Sequence, residues 1–242
     1  MTETQTDGQM SILDHLRELR TRVVISIGAV FVGACIAYWL APYYFDWVVG
    51  YYRDAIHDPK ANFIFLQPLD AFLVRLKIAT YGGIVIAMPV VLWQLWQFVV
   101  PALKTRERRL AGPFVLSAMV LFALGGFVAV ISLEPSLGFL LGIGGGALKP
   151  QLTADSVVTF LSLMIVAFGI SFEFPVVLVF LLLARVLKTA QLRKWRRGAF
   201  VGIIIFAAVI TPSQDPYTLF FMALPMWLFY EAAILIGRGL KR

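Results

Sequence analysis

Charged residues are scarce in this sequence. Aspartate, glutamate, lysine and arginine together make up 14% of its 242 residues, whereas a soluble domain carries about 25%. Hydrophobic residues make up 60% of the chain and the mean hydropathy is +0.83, against roughly 45–50% apolar residues in soluble domains. A water-soluble core of this size has no room for so much apolar surface, so lipid is the expected solvent.

Cysteine and histidine are almost missing as well. Cys35 is the single cysteine and lies in an apolar run, so it forms no intramolecular disulfide and is expected to serve packing. His15 and His57 are too few and too far apart in the sequence for a metal site. The sequence also lacks a Walker A loop and the HExxH and GxSxG motifs, which argues against nucleotide hydrolysis and two protease chemistries. We therefore expect no catalytic activity, no metal and no cofactor, which leaves transport, assembly or recognition.

Apolar runs separated by polar connections occupy most of the chain. They predict an all-α membrane protein with six transmembrane helices, of which the fifth and sixth are short. At a rise of about 1.5 Å per residue the fifth span is roughly 20 Å long, so a thinned bilayer is expected around it. Residues 1–10 are predicted to form a disordered tail, and residues 11–242 a single polytopic membrane domain. The predicted spans are residues 23–41, 72–100, 110–132, 157–187, 198–210 and 217–237.

An amphipathic segment precedes the first apolar run. Ser11 to Asp14 has the form of a capping box, and apolar residues follow it at helical spacing, so a helix at the membrane surface is predicted to lead into the first span. A cleaved signal peptide is the alternative, but the polar lead is too long and the apolar run is long enough to span. Residues 42–70 are mixed and aromatic, and are predicted to form an extramembrane cap with short helices.

Basic residues are distributed unevenly among the predicted connections. Four clusters fall at the N-terminus, after the second span, after the fourth span and at the C-terminus, whereas the odd-numbered connections carry only Arg53, Lys60 and Lys149. Because cytoplasmic loops retain Lys and Arg, both termini are predicted to lie on the cytoplasmic side of the cytoplasmic (inner) membrane. The net charge of +7 then reflects topology and contacts with membrane lipids, and no nucleic-acid partner is expected. The clusters are Arg17, Arg20 and Arg22; Lys104, Arg106, Arg108 and Arg109; Lys188, Arg193, Lys194, Arg196 and Arg197; and Arg238, Lys241 and Arg242.

Three carboxylates in or near the predicted membrane spans are candidate functional residues. Glu18 is on the polar side of the first helix and Glu107 is among arginines in the second cytoplasmic connection. Two carboxylates on one face could hold guanidinium groups through paired hydrogen bonds, but each could equally pair with a neighbouring arginine. Glu173 lies in the apolar sequence GISFEFPVVLVF, where an ionisable group is costly and is either functional or a structural hydrogen-bonding group. Pro89 is expected to interrupt the second span, and Pro175 to loosen the helix beside it.

Short motifs follow one another along the chain. They are HLRELRTR at 15–22, MPVVLWQLWQF at 88–98, PAL at 101–103, ERR at 107–109, FGISFEFP at 168–175, and Thr211-Pro212, Asp215, Pro225 and Glu231 near the C-terminus. In this order they resemble the motifs of TatC, the receptor subunit of the twin-arginine protein translocase. Each motif alone is modest, but together they cover nearly the whole chain and are highly specific.

The resemblance implies a receptor for folded cargo proteins. TatC proteins recognise signal peptides that carry paired arginines, work with single-span partners of the TatA and TatB type, and draw on the proton-motive force. By position, Glu18 and Glu107 match the family's twin-arginine contacts, and Arg20 and Arg22 belong to the same signal-peptide-binding motif. A multimeric assembly that exports folded proteins across the cytoplasmic membrane is therefore expected.

A second implied site would hold the transmembrane helix of a partner. Glu173 matches the intramembrane glutamate that the family uses for this contact. Some members carry a polar glutamine early in the last span, where this chain has YTLF at 217–220, and its loop has one residue more than the compact TPPD form. A polar contact with the partner there would rest on Thr211 or Thr218, or is absent.

Two other classes of function compete with the receptor. A proton-coupled solute transporter would use Glu173 as its proton carrier, and usually has a repeat that relates its two halves. The sequence shows neither such a repeat nor a second midplane carboxylate. A purely structural membrane scaffold is the other alternative. Copurification with a twin-arginine signal peptide would favour the receptor, whereas uptake of a small solute would favour the transporter.

Overall fold

The described part of the chain is almost entirely α-helical. The computed structural model describes residues 12–55, 62–99, 111–143 and 152–239, and the only extended pairing within these ranges is an isolated bridge between Ile64 and Thr153. The all-α prediction is therefore confirmed, while the predicted tail at residues 1–10 lies outside the described residues. The helices are α1 (Ile12–Ala55), α2 (Asp70–Val99), α3 (Ala111–Gly142), α4 (Ala154–Ser171), α5 (Phe174–Leu183), α6 (Thr189–Ile210) and α7 (Pro216–Gly239).

Five helical segments in these ranges are long and apolar enough to cross a membrane. Helices α4 and α5 together form one of them. Helix α6 is not among them, because its first half carries the basic residues of the run 193–197. The chain is accordingly a multi-pass membrane protein. The five segments are Leu13–Asp54, Asp70–Phe98, Gly112–Gly142, Ala154–Leu183 and Pro216–Gly239.

Helix α1 is one continuous helix of 44 residues. At a rise of about 1.5 Å per residue it is roughly 66 Å long, about twice the thickness of the hydrocarbon core. The amphipathic segment predicted at the N-terminus is its first part. The prediction of an end near residue 41, followed by short helices, is wrong for residues 42–55. Pro42 removes one backbone hydrogen bond, but Ala41, Val48 and Tyr52 are buried in one core cluster, and this packing holds the helix together past the proline.

Three further helices are longer than the predicted spans. Helix α3 continues beyond residue 132 through Pro135, and Leu133 and Leu137 on either side of that proline are buried. Helix α6 begins at Thr189 rather than residue 198 and has 22 residues, which corresponds to about 33 Å. Only its second half is apolar. Helix α7 has 24 residues, so both helices of the predicted short spans exceed the expected length.

The predicted fourth span, residues 157–187, is divided into two helices. Helix α4 ends at Ser171 and α5 begins at Phe174. Pro175 explains the break, because it has no backbone N–H and its ring would clash with the carbonyl of Ser171 four residues earlier. Glu173 lies in the break, at the N-cap position of α5, and its side chain makes no capping hydrogen bond. The expected loosening of the helix beside Pro175 is confirmed.

Helices α1 and α2 cross at a pair of glycines. A Cβ atom added to Gly33 would lie 2.7 Å from the carbonyl oxygen of Gly83, and one added to Gly83 would lie 2.7 Å from the backbone nitrogen of Ala34. Both distances are shorter than real Cβ atoms show. Small residues allow membrane helices to approach until their backbones touch, so this crossing fixes α1 against α2.

Two clusters of buried side chains join the helices. One lies around Val48, Leu133 and Leu161 and joins α1, α2, α3 and α4. The other lies around Phe168 and Met226 and joins α3 and α4 to α5, α6 and α7. An ion pair adds a polar link between α2 and α4, since Lys77 Nζ lies 2.6 Å from Asp155 Oδ1.

Candidate functional site

The beginning of α1 meets the end of α2 in a polar cluster. Arg22 donates from Nη2 to Oε1 of Glu18 at 3.2 Å. From Nη1 it donates to Oε1 of Gln94 at 3.1 Å and to Oε1 of Gln97. The guanidinium group therefore has three oxygen acceptors on two helices. Glu18, Arg22, Gln94 and Gln97 are termed the Glu18 cluster.

Helical spacing explains how the cluster forms. Glu18 and Arg22 are four residues apart and so share one face of α1. The two glutamines are three residues apart and share one face of α2, and beside them His15 of α1 stacks on Phe98 with ring centroids 4.3 Å apart. The sequence prediction did not include the glutamines. Their signal was a pair of amides at helical spacing in the otherwise apolar end of α2.

Each member of the ion pair has one buried atom without a partner in the described part of the chain. The side chains of Glu18 and Arg22 are 20% and 27% exposed, so both are largely withdrawn from water. Glu18 Oε2 and Arg22 Nε are buried and find no hydrogen-bond partner within the described ranges. A buried carboxylate oxygen without a donor is unfavourable. Oε2 is thus the atom of the cluster that is ready to accept a hydrogen bond from a ligand.

The four residues predicted to bind a signal peptide are only partly brought together. Glu18 and Arg22 are in contact, whereas Arg20 is exposed. Arg20 precedes Arg22 by two residues, which places it about 200° around the helix. Glu107 lies outside the described residues, so its approach to Glu18 stays a prediction.

Glu173 lies in a different setting, an apolar groove between α2, α3 and the break between α4 and α5. The groove has a volume of about 230 Å³. Glu173 Oε1 and Trp96 Nε1, both on residues that line it, are buried and have no hydrogen-bond partner in the described part of the chain. This cavity is termed the Glu173 groove. Its other walls include Met88, Leu92, Leu95, Phe114, Val115, Ala118, Ile170, Val176 and Phe180.

Aromatic packing holds Trp96 in the wall of the groove. Its ring centroid lies 4.3 Å from that of Phe114 and 6.3 Å from that of Phe180. The indole N–H can only donate a hydrogen bond, and a carboxylate oxygen accepts one. Neither group can turn to water in hydrocarbon, so a polar group of an occupant would stabilise both. The apolar context of Glu173 revealed it in the sequence, whereas Trp96 gave no comparable signal.

Asp215 holds the turn between α6 and α7. Its Oδ1 accepts hydrogen bonds from the backbone N–H groups of Tyr217 and Thr218 at 2.9 and 3.0 Å. Its Oδ2 accepts from the hydroxyl of Thr218 at 2.7 Å and from that of Ser213. Burial by itself raises the pKa of Asp215, but the hydrogen bonds stabilise the charged form more and hold the pKa below its usual value of 3.8. The carboxylate is therefore charged at neutral pH and caps the start of α7.

Thr211 and Thr218, the residues predicted to meet a partner helix, are both buried. The Thr211 hydroxyl donates to the carbonyl oxygen of Ala207 at 2.9 Å. The Thr218 hydroxyl lies within hydrogen-bond distance of Asp215 and Ser213. Both hydroxyls have partners inside the hairpin, and contact with another protein would require these bonds to change. As partner contacts the two threonines stay predictions.

The other half of the hairpin is tied by a second polar link. Arg196 of α6 forms an ion pair with Glu231 of α7. Beside it, the hydroxyl of Tyr230 donates to the carbonyl oxygen of Leu192 at 2.7 Å. Together with Asp215 at the turn, these contacts hold α6 against α7 along its length.

The chain has named relatives in both sequence and fold. The family described as Sec-independent protein translocase protein (TatC) matches residues 14–225. A Sec-independent protein translocase protein TatC from Frankia casuarinae is 39% identical, over 98% of this chain and 68% of that protein. One from Aquifex aeolicus is 38% identical over 95% of each chain. A crystal structure of the twin arginine translocase receptor TatC has a TM-score of 0.79 at 38% identity, over 94% of this chain and 100% of that one.

These relationships confirm the resemblance seen in the motifs. The family match covers most of the chain, and the relatives align along nearly all of it. The family is one of protein translocase components rather than enzymes. The chain belongs to the TatC family of Sec-independent protein translocase proteins.

Proposed function

We propose that this chain is the receptor subunit of a twin-arginine translocase in the cytoplasmic membrane. It binds the paired-arginine signal peptides of folded cargo and, with TatA-type and TatB-type partners, exports that cargo at the expense of the proton-motive force. The proposal rests on the Glu18 cluster, where a partly buried carboxylate holds a guanidinium group and has one oxygen without a hydrogen-bond partner among the described residues.

Arginine suits this cluster better than lysine does. A guanidinium group is planar and permanently charged, and its N–H groups can reach a carboxylate and an amide oxygen at once. Arg22 makes this set of contacts with Glu18 and the two glutamines. A lysine ammonium group is a compact point charge without that fork. We propose that Glu18 supplies one carboxylate of the receptor and Glu107 the second.

The proposed orientation follows from the basic residues. Arg17 and Arg20 are exposed near the start of α1, and the basic run 193–197 lies in the first half of α6. With six crossings, both regions lie on one side of the membrane, together with both termini. We propose that this is the cytoplasmic side, where basic residues are retained and contact the phosphates of anionic lipids. Signal peptides would then meet the Glu18 cluster before cargo crosses the membrane.

The Glu173 groove is the proposed docking site for the transmembrane helix of a TatA-type or TatB-type partner. Its apolar walls suit a helix in lipid, where close packing and hydrogen bonds between helices drive association. Glu173 Oε1 and Trp96 Nε1 would both gain a partner from one polar side chain of such a helix. Thr211 and Thr218 would contribute through the turn that they help to hold. Repetition of this contact in several copies would build the multimeric assembly.

Binding of a synthetic paired-arginine signal peptide to the full chain in detergent tests the proposal. Glu18→Gln and Glu107→Gln are each expected to weaken binding about ten- to hundredfold, because a hydrogen bond to a charged group contributes about 1.5–3 kcal/mol. Asp14→Asn is the matched control, since Asp14 lies one turn before Glu18, is 59% exposed and pairs with Arg17. Wild-type affinity in both glutamate variants would contradict the receptor assignment.

A further inference from the structure

We propose that Arg22 is an internal competitor for the arginines of the signal peptide, and that it sets the affinity threshold of the Glu18 cluster. The inference rests on the proposed function, because it concerns the ligand that this cluster receives. Its basis is that the guanidinium group of Arg22 already lies on the carboxylate that would hold an incoming guanidinium group.

The contacts of Arg22 go beyond an ordinary pairing along one helix. Glu18 and Arg22 alone would form the familiar pair of residues four apart. Gln94 and Gln97 are 72 and 75 residues away in the sequence, and each points its side-chain oxygen at the same nitrogen of Arg22. Three oxygens from two helices thus surround one guanidinium group. The cluster is built to bind this chemical group and is occupied by the chain's own copy of it.

A second guanidinium group cannot simply be added to the occupied cluster. Glu18 Oε2 has no hydrogen-bond partner among the described residues, but it is buried, so an arriving arginine can reach it only after the side chains around it move. Paired hydrogen bonds to the carboxylate require both oxygens, and Oε1 is held by Arg22. Two cations side by side on one carboxylate also repel each other. Arg22 must therefore release Glu18 when the arginine of the ligand takes the full site.

The geometry makes this release feasible. The bond between Arg22 and Glu18 is single and relatively long at 3.2 Å, so it is weaker than the paired contact that a second guanidinium group could make. The arriving guanidinium group also replaces the charge of Arg22, so the buried carboxylate is not left without a cation. Arg22 Nε has no hydrogen-bond partner among the described residues, so release breaks bonds only at the two terminal nitrogens. The freed guanidinium group can turn towards water or lipid phosphates at the start of α1.

Internal competition lowers the affinity for every ligand that needs the full site by the same factor. Apparent affinity is the intrinsic affinity multiplied by the fraction of molecules in which the site is open. The ratio between a paired-arginine peptide and a lysine–arginine peptide should then not depend on Arg22. At a given peptide concentration, weakly binding segments that contain arginine would then stay mostly unbound, whereas a signal peptide of high intrinsic affinity would still bind.

The test measures the dissociation constants of both peptides with the wild-type chain and with Arg22→Gln and Arg22→Lys. We expect Arg22→Gln to bind both peptides about three- to tenfold more tightly, with their ratio unchanged. Arg22→Lys keeps the charge but loses the fork, so its affinities should fall between wild type and Arg22→Gln. Arg17→Gln is the control for removal of a positive charge, because Arg17 is 82% exposed and lies on the same helix; it should shift affinity less than Arg22→Gln.

The possible results are distinct. Weaker or unchanged binding in Arg22→Gln, with wild-type-like binding in Arg22→Lys, would overturn the inference and make Arg22 a support for Glu18. A gain equal to that of Arg17→Gln would also overturn it, since general electrostatics would then explain the effect. In both cases a loss of binding in Glu18→Gln would leave the receptor assignment standing. Only wild-type binding in Glu18→Gln and Glu107→Gln would remove that assignment.

Discussion

The Glu18 cluster and the Glu173 groove present a carboxylate to a ligand in opposite ways. Glu18 already accepts a hydrogen bond from a cation, next to two glutamine oxygens, and its side chain is 20% exposed. Glu173 lines a groove of otherwise apolar walls, together with an indole N–H that has no hydrogen-bond partner in the described ranges. The first arrangement favours exchange of one cation for another. The second favours arrival of an apolar helix that brings a single polar group, so one bundle can receive two chemically different ligands.

Asp215 provides a third reference point. Among the described residues, the donors that reach its two oxygens belong to its own turn, namely Ser213, Tyr217 and Thr218. Both oxygens of this carboxylate accept hydrogen bonds, which fits a structural role in the turn. The three carboxylates therefore form a series from Glu173 through Glu18 to Asp215. The more hydrogen bonds a carboxylate accepts within the chain, the less capacity it has left to bind a ligand. Substitutions at the two sites and at Asp215 test whether that series corresponds to function.

Outside the Glu18 cluster, substitution of Glu173 should have the largest effect, and it should separate the two sites. Glu173→Leu is expected to weaken association with a TatA-type or TatB-type helix about tenfold, since a hydrogen bond between membrane helices contributes about 1–2 kcal/mol. Signal-peptide binding should keep its wild-type affinity. Site-specific crosslinking between the groove and the partner helix measures the association. Glu173→Gln preserves hydrogen bonding and should retain much of it, whereas normal assembly and transport by the leucine variant would remove Glu173 from the site.

Trp96→Phe should weaken the same association by a smaller amount. The change keeps the aromatic packing against Phe114 and Phe180 but removes the N–H donor. Loss of one neutral hydrogen bond corresponds to about 0.5–1.5 kcal/mol, or roughly two- to tenfold. The same crosslinking yield reports the effect. Trp93→Phe is the matched control, because Trp93 is exposed on α2 and is not among the residues lining the groove. Equal yields in the two variants would mean that the indole N–H meets no partner.

Salt concentration should have a smaller effect on binding, and this effect should differ between the two sites. Signal-peptide binding at the Glu18 cluster should weaken about threefold as ionic strength rises from roughly 0.1 M to 1 M, because the Debye length shortens from about 10 Å to 3 Å. Glu18→Gln should flatten this dependence. Glu173→Leu should leave it as in wild type, since the groove lies in apolar surroundings. Titrations of a fluorescent peptide at several salt concentrations provide the measurement, and a steep slope in Glu18→Gln would contradict the comparison.

Acid should produce the smallest effect, at Asp215. Its folded pKa lies below the usual 3.8, so the folded chain binds fewer protons at this site than the unfolded chain does. The stabilisation is therefore fully present above about pH 4 and is lost as pH falls through the folded pKa. Thermal unfolding in detergent from about pH 6 to pH 3 measures this. Asp215→Asn should be less stable than wild type at pH 6, and the difference should shrink in acid; a constant difference would show that charge at Asp215 is unimportant.

The helices could be predicted from the sequence better than their ends. Apolar runs identified each membrane segment, yet prolines with the same local chemistry behaved differently. The chain breaks at Pro175 but stays helical through Pro42, Pro89 and Pro135, so the predicted interruption of the second span at Pro89 is wrong. Local rules predict a disturbance at each of these prolines. Buried neighbours such as Leu133 in α3 hold a helix together past its proline, and such packing depends on distant parts of the chain.

Some residues and contacts of the two sites could likewise be predicted from the sequence, and others could not. Glu173 could be predicted because an ionisable residue in an apolar run stands out without any knowledge of neighbours. The pairing of Glu18 with Arg22 also follows from spacing on one helix. The contacts from Gln94 and Gln97 could not be predicted, because they depend on where α1 and α2 cross. The internal bonds of Thr211 and Thr218 depend likewise on the geometry of a turn.

The glycine crossing of α1 and α2 constrains which sequences this fold can accept over evolution. Compensation between two contacting positions works when one side chain shrinks as the other grows. Here a Cβ at Gly33 would strike the backbone of Gly83, and a Cβ at Gly83 would strike the backbone of Ala34. No substitution at the facing position can remove a backbone atom. The two glycines should therefore each be retained independently, without covariation, and a selection for second-site suppressors of Gly83→Val should recover none at position 33.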